Sequence, residues 1–146
     1  MAKSTDVQTD REAITAVVRD YFESWYEGDP ERMGRALHPR LAKRAPMGGL
    51  LESGHVHDVD PDALDEDTRQ TMVDASARGV GTTRARTPDK RAIEVRIDDL
   101  YHWIATVTVT SAIYHEYLHL VRTSEGWKIV NALWQRTVRE GGDRSG

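Results

Sequence analysis

A histidine set beside a carboxamide can move a proton near neutral pH, because the amide orients an imidazole whose pKa lies close to the working pH. His119 and Asn131 make such a pair if the last two strands form a hairpin, and His119 is then the candidate general acid/base. A strand histidine bonded to its neighbour also serves as plain structure, so both roles stay open. Tyr117 on the same strand, Tyr21 and Trp25 on the first helix, and His38 ahead of the first strand supply further polar and aromatic groups for a small-molecule pocket. Aromatics at helical spacing also fill cores, and a histidine before proline also ends a helix.

Other chemistry finds less support. His55-Val56-His57-Asp58 with Asp60 holds ligand types that a divalent ion accepts, but no second cluster completes a shell, so no metal and no cofactor is expected. The acidic run from Asp58 to Asp67 lacks the alternating spacing and central glycine of a calcium loop. With a formal charge of -4 the chain has no basic excess for a phosphate backbone, and Lys43-Arg44 and the basic stretch Arg84 to Arg91 are loop charge, so nucleic acid is not an expected partner. The absence of cysteine excludes disulfides and thiolate chemistry and suits a reducing compartment. Met1 to Asp6 has no apolar signal core, and no apolar run approaches the ~18 residues needed to span a bilayer. The expected location is the cytoplasm, away from membranes.

The elements that would position these residues follow from periodicity. Ile14, Val17, Val18, Tyr21, Phe22 and Trp25 form one apolar stripe, with a capping box from Thr9 to Glu12 and a stop at Gly28, which predicts a helix over 11–27. Asp29-Pro30 starts a second helix and His38-Pro39 stops it, leaving Leu41 to Ala45 as a short first strand. Asp60-Pro61 and the acids after it predict a third helix near 62–78, between mobile loops at 48–58 and 79–90. The period then becomes two: Ile93 to Ile97, Ile104 to Ser111, Glu116 to Thr123 and Trp127 to Val138 read as strands with antiparallel neighbours. Helices first and strands later define an α+β class. The length of 146 residues suits a single domain over 1–146, ordered over about 9–140 with a disordered tail at 141–146.

The last hairpin fixes which residues share a face. Thr123-Ser124-Glu125-Gly126-Trp127 fits a three-residue loop in which Thr123 opposes Trp127, which pairs Val121 with Ile129, His119 with Asn131 and Tyr117 with Leu133. That face is expected to be concave, under the first helix. The other carries Leu118, Leu120, Val130, Ala132 and Trp134 and needs a cover as well. A second subunit would make it the interface of a homodimer; the third helix or the long loop would cover it equally well.

Helix 11–27, the junction Gly28-Asp29-Pro30, Leu37-His38-Pro39, and the ending Tyr117-Leu118-His119-Leu120-Val121 … Gly126-Trp127-Lys128-Ile129-Val130-Asn131-Ala132-Leu133-Trp134 together resemble the nuclear-transport-factor-like superfamily. The ending is most similar to the group called putative lumazine-binding proteins, near the SnoaL-like polyketide cyclases. The resemblance implies a cystatin-like cone: a curved, mostly antiparallel sheet wrapped round N-terminal helices, an internal pocket, and often a dimer through the outer sheet surface. Superfamily members include isomerases, dehydratases, cyclases and proteins that only bind, so fold does not decide function. The isomerases pair a first-helix tyrosine, here Tyr21, with pocket acids, and residues 40–45 supply no acid. The expected function is a non-catalytic small-molecule pocket or dimerisation module of unknown ligand, the alternative a lyase, isomerase or cyclase using His119 as general acid/base.

Overall fold

The computed structural model describes residues 4–50 and 60–138. His55, Val56, His57 and Asp58, the loop from residue 51 to 58, and the tail 141–146 lie outside the described residues. Helix α1 (Ser4–Glu27) starts ahead of Thr9, which is therefore not its cap. Helix propagation costs little once a nucleus exists, and the polar residues before Thr9 tolerate it. The stripe is buried as expected, with Ile14, Val18, Tyr21 and Phe22 in the core and Val17 and Trp25 half-buried. Gly28 takes a φ of 70° and closes α1. Asp29 then accepts from the Arg32 amide and caps α2 (Pro30–Ala36). Arg32 reaches back to Asp20 at 2.8 Å and Glu23 at 2.6 Å, pinning α2 to α1.

Strand β1 (Leu37–Pro46) begins at the end of α2, so His38-Pro39 opens a strand longer than 41–45. After a 3₁₀ turn at Met47–Leu50, the span expected as one helix over 62–78 divides in two. Leu64 and Glu66 face outward while Asp65 and Asp67 face inward, which makes β2 (Leu64–Asp67) a short strand antiparallel to β1. Thr68 and Thr71 form a reciprocal capping box that starts α3 (Arg69–Ala77). The expected loop at 79–90 holds two short helices, α4 (Val80–Arg84) and α5 (Pro88–Arg91). Thr87-Pro88 is the same cap-then-proline signal that starts α2.

Strands β3 (Ile93–Tyr101), β4 (Ile104–Ser111), β5 (Tyr114–Thr123) and β6 (Gly126–Arg136) follow as a meander. The six-stranded sheet has the order β2-β1-β6-β5-β4-β3; β1 and β6 are parallel and the other neighbours antiparallel. It is curved and unclosed, an α+β architecture, with α1 packed on its inner face against β6 and β3. Helix α3 packs on α2 and β1. Among the described residues no helix is long and apolar enough to cross a membrane.

The hairpin β5–β6 corrects the expected register. His119 pairs with Asn131 and Tyr117 with Leu133, but Thr123 pairs with Gly126, Val121 with Lys128 and Leu120 with Ile129. The loop is two residues, and a bulge at Val130 takes up the difference between the two halves. The faces are also reversed. Leu118, Leu120, Ala132 and Trp134 are buried under α1, while Tyr117, His119, Asn131 and Leu133 face outward. Placing the apolar set inside leaves the imidazole and carboxamide solvated, which costs less than desolvating them.

Candidate functional site

Between α1, α3, α4 and the β2–β1–β6–β5 side of the sheet lies a cavity of about 380 Å³. The inward alternation of three strands supplies its polar groups: Lys43 from β1, between Leu41 and Ala45; Asp65 and Asp67 from β2; and Glu116 from β5, on the face of Leu118. Register brings them together, since Lys43 pairs with both Ala132 and Asp67, and Glu116 pairs with Trp134. Tyr21, Phe22 and Trp25 enter from α1, Met72 and Ala75 from α3, and Arg78 and Arg84 stand nearby.

A hydrogen-bonded chain lies at the cavity's inner end. Lys43 Nζ donates to Tyr21 Oη at 2.5 Å, and Tyr21 Oη donates to Glu116 Oε1 at 2.8 Å. All three side chains are buried, at 6% exposure for Lys43 and 2% for Tyr21 and Glu116. Aromatic rings surround the ammonium, which lies 5.0 Å from the Tyr21 centroid, 5.1 Å from Trp134 and 5.9 Å from Trp25. Trp25 Nε1 donates to Tyr114 Oη at 2.9 Å, which fixes the indole as a wall. The Trp134 indole N–H is buried without a protein partner.

The surroundings set protonation. Burial pushes the Glu116 carboxyl up, and Lys43 and the bond from Tyr21 only partly oppose it. Burial raises the Tyr21 phenol well above its usual value, reinforced by the Glu116 charge, so Tyr21 stays protonated. Asp65 is raised by burial and by Asp67. Lys43 and Arg84 both favour the charged form of Asp65, Lys43 is the cation that acts on Glu116, and the chain Lys43–Tyr21–Glu116 can pass a proton in either direction.

Of the expected pocket residues, Tyr21 and Trp25 line this cavity. Tyr117, His119 and Asn131 are on the opposite face of the sheet, where Asn131 Nδ2 and His119 Nδ1 lie 3.3 Å apart, exposed. The pairing exists, but it points away from the cavity. His38 is half-buried and its Nδ1 accepts from the Arg40 amide at 3.0 Å, a local turn outside the cavity lining. Leu118, Leu120, Ala132 and Trp134, expected as a dimer interface, are core, and Val130 is the half-buried bulge. Among the described residues no group of three or more His, Asp or Glu side chains is placed to hold a metal ion.

Lys43, expected as loop charge, is a buried residue of β1, and Glu116 is not among the expected site residues, although parity marks both. Each is a charged residue on the apolar side of an alternating strand, Lys43 between Leu41 and Ala45, Glu116 in phase with Leu118 and Leu120.

A curved open sheet closed by an N-terminal helix over a polar-floored cavity defines the nuclear-transport-factor-like, cystatin-like class. The chain belongs to the family described as putative lumazine-binding, which it matches over residues 9–135. An NTF-2 like protein of unknown function from Silicibacter pomeroyi is similar in structure, with 15% identity, 94% of this chain and 100% of that chain covered, and a TM-score of 0.62. A cystatin-like domain of unknown function from Nostoc punctiforme is similar at 17% identity over 90% of this chain and 80% of that one, with a TM-score of 0.59. A protein described as a putative dehydratase of the NTF2-like family, from Streptomyces avermitilis, is similar at 13% identity over 90% and 99%, with a TM-score of 0.54. No curated protein matches. At these identities the likeness is one of fold.

Proposed function

We propose that the protein binds a small, flat, conjugated molecule in the cavity, its ring against Trp25, Trp134 and Tyr114 and its polar group towards Lys43 and Glu116. The observation that carries this reading is the buried Lys43–Tyr21–Glu116 chain at the inner end of an aromatic-walled space. Buried ion networks are often no more stable than apolar packing. Keeping one beside a cavity therefore suits a ligand better than it suits the fold. The family description makes lumazine, a bicyclic heteroaromatic with carbonyl groups, the first probe.

Titration with lumazine and a set of hydroxylated polycyclic aromatics, followed by quenching of tryptophan fluorescence, tests the reading. Saturable micromolar binding is expected, weakened roughly tenfold by Trp25→Ala, the loss of about 1.4 kcal/mol. Absence of saturable quenching by every probe counts against it.

A proton-transfer enzyme of the isomerase, dehydratase or cyclase kind is the second reading. It is favoured by Glu116, whose burial beside a phenol and an ammonium makes it a better acid/base than the outward-facing His119. We also place a second copy of the chain on the outer sheet face, which exposes Tyr117 and Leu133, and we locate the cysteine-free protein in the cytoplasm.

A further inference from the structure

We propose that Lys43 captures aromatic aldehydes and ketones as imines inside the cavity, with Tyr21 and Glu116 relaying the protons. The inference rests on the reading of this cavity as a ligand site. Lysine is seldom buried, because its ammonium loses hydration. Lys43 nevertheless lies at 6% exposure on the wall of the cavity.

The direction of its hydrogen bonds matters more than its burial. Lys43 donates to Tyr21 and Tyr21 donates to Glu116, so two short proton shifts along the chain give an amine, an unchanged phenol and a carboxylic acid. That exchange removes two charges from a desolvated region, which burial favours. Asp65 and Asp67 stand on the cavity wall, and Asp67 is the cross-strand neighbour of Lys43. The free amine is therefore the form that the chain supplies on demand, with the proton parked on Glu116.

Lys128 is a control built into the same chain. It is also buried, at 9% exposure, but its Nζ donates to the Arg35 carbonyl at 2.8 Å with Glu125 3.9 Å away, and it does not line the cavity. Its hydrogen bond goes to a backbone carbonyl, which cannot relay a proton as the Tyr21 phenol does.

The chemistry balances without a further reactant. The Lys43 nitrogen lone pair attacks the carbonyl carbon, and the C=O π pair moves to oxygen, which takes a proton from Tyr21 as Glu116 reprotonates the phenol. The nitrogen releases a proton to the relay. Breakage of the C–O bond then expels the oxygen with a second proton from the relay, as water, while the nitrogen pair closes the C=N bond. Net, the amine, the carbonyl and the proton held on Glu116 become a protonated imine and water, and Glu116 is left as the carboxylate. The Tyr21, Trp25 and Trp134 rings that surround the ammonium would stabilise a protonated imine in the same way, and they select a flat aryl carbonyl compound.

The test uses the full chain, 2-naphthaldehyde and sodium cyanoborohydride, which fixes the imine as a naphthylmethyl amine for peptide mapping. Lys43 is expected to be labelled roughly tenfold faster than exposed Lys90, the ratio that about 1.4 kcal/mol of preference supplies, with Lys128 slower than both. Tyr21→Phe keeps the ring and breaks the relay, so labelling at Lys43 should fall to the Lys90 rate while Lys90 itself is unchanged. Lys43→Arg should carry no label at that position, while 2-naphthylmethanol, which binds without reacting, reports occupancy of the wild-type cavity. Labelling of Lys43 no faster than of Lys90, with 2-naphthylmethanol bound normally, overturns the inference and leaves the pocket standing. Failure of 2-naphthylmethanol to bind the wild type as well overturns both.

Discussion

Lys43 holds its charge in a place where aromatic rings and carboxyl groups, rather than water, must stabilise it. Tyr21 bridges it to Glu116, and Asp67 is its cross-strand neighbour. Removing the cation leaves the acids uncompensated. Lys43→Met should cost about 3–5 kcal/mol at neutral pH, the usual penalty for breaking a buried pair from one side. The pH dependence has a definite sign. Burial already raises Glu116 in the folded state, and losing Lys43 removes the main influence that lowers it. A carboxyl raised on folding binds its proton more tightly in the native state, so stability falls as pH rises from the unfolded value through the folded one. The deficit of the variant should therefore shrink as pH is lowered towards the range of an ordinary glutamate. Urea denaturation of both proteins at neutral and mildly acidic pH measures this. A deficit that does not change with pH would show that lost packing, not an uncompensated acid, is the cause.

At the scale of elements, the site depends on how tightly α4 lies against α1. A Cβ added at Gly81 would meet the Trp25 carbonyl oxygen at 2.2 Å and the Trp25 ring at 2.6 Å, and Thr82 Oγ1 donates to the Tyr26 carbonyl at 2.7 Å. Gly81→Ala must push α4 outward, and with it the backbone of a cavity wall. The expected cost is about 1–3 kcal/mol, the range for overpacking, together with weaker ligand binding. Gly34 on α2 is the contrast. There an added Cβ meets only Val73 Cγ2 at 3.5 Å, ordinary contact, so Gly34→Ala should stabilise by about 0.5–1 kcal/mol through helix propensity. Thermal melts of the two variants check both signs; stabilisation by Gly81→Ala would refute the close packing.

The same scale explains what was legible in the sequence. The stripe of α1, the cap Asp29-Pro30 and the meander of four strands are local signals, repeated over many residues, and each specifies its own element. The division of 62–78 into β2 and α3 is masked in the sequence, because Asp60-Pro61 imitates a helix start while the true cap is Thr68 with Thr71. The bulge at Val130 has no signature in residue type; it arises from a two-residue turn that must still align His119 with Asn131. On β5 the leucines Leu118 and Leu120 alternate with His115, Tyr117 and His119, and expecting the His119–Asn131 pair inside sets desolvation of polar groups against burial of leucines, where burial prevails. Glu116 goes inward with those leucines and meets Tyr21 of α1, a contact between residues far apart in the chain that local pattern does not announce.

For the whole molecule, the reversed faces alter the meaning of the expected dimer. Trp134 is 9% exposed and packs edge-on against Tyr114 with ring centroids 5.5 Å apart, so a charge placed there would damage the core instead of separating subunits. The surface left for a partner is the outer one, where Tyr117, Leu133 and Ile104 are 54%, 52% and 58% exposed and His119, Asn131, Thr106 and Ala42 lie between or beside them. The centre of this face is almost uncharged, whereas Arg44 with Glu66 and Arg96 with Asp98 occupy its two margins. An apolar centre with a charged rim is the layout of a protein interface. The chain has 9157 Å² of accessible surface, and a standard interface needs only about 800 Å² from each partner, which the outer face of several strands can provide. A two-fold contact is the economical solution, since one patch then covers itself. Tyr117→Glu with Leu133→Glu should convert a dimer to a folded monomer, because like charges would meet across the axis in a desolvated centre. Sedimentation at micromolar concentration reads the mass, and circular dichroism and ligand quenching verify that fold and cavity survive, as they should when every substituted side chain points away from Lys43 and Glu116. A wild type that sediments as a monomer would rule out the dimer and leave the outer face as solvated sheet.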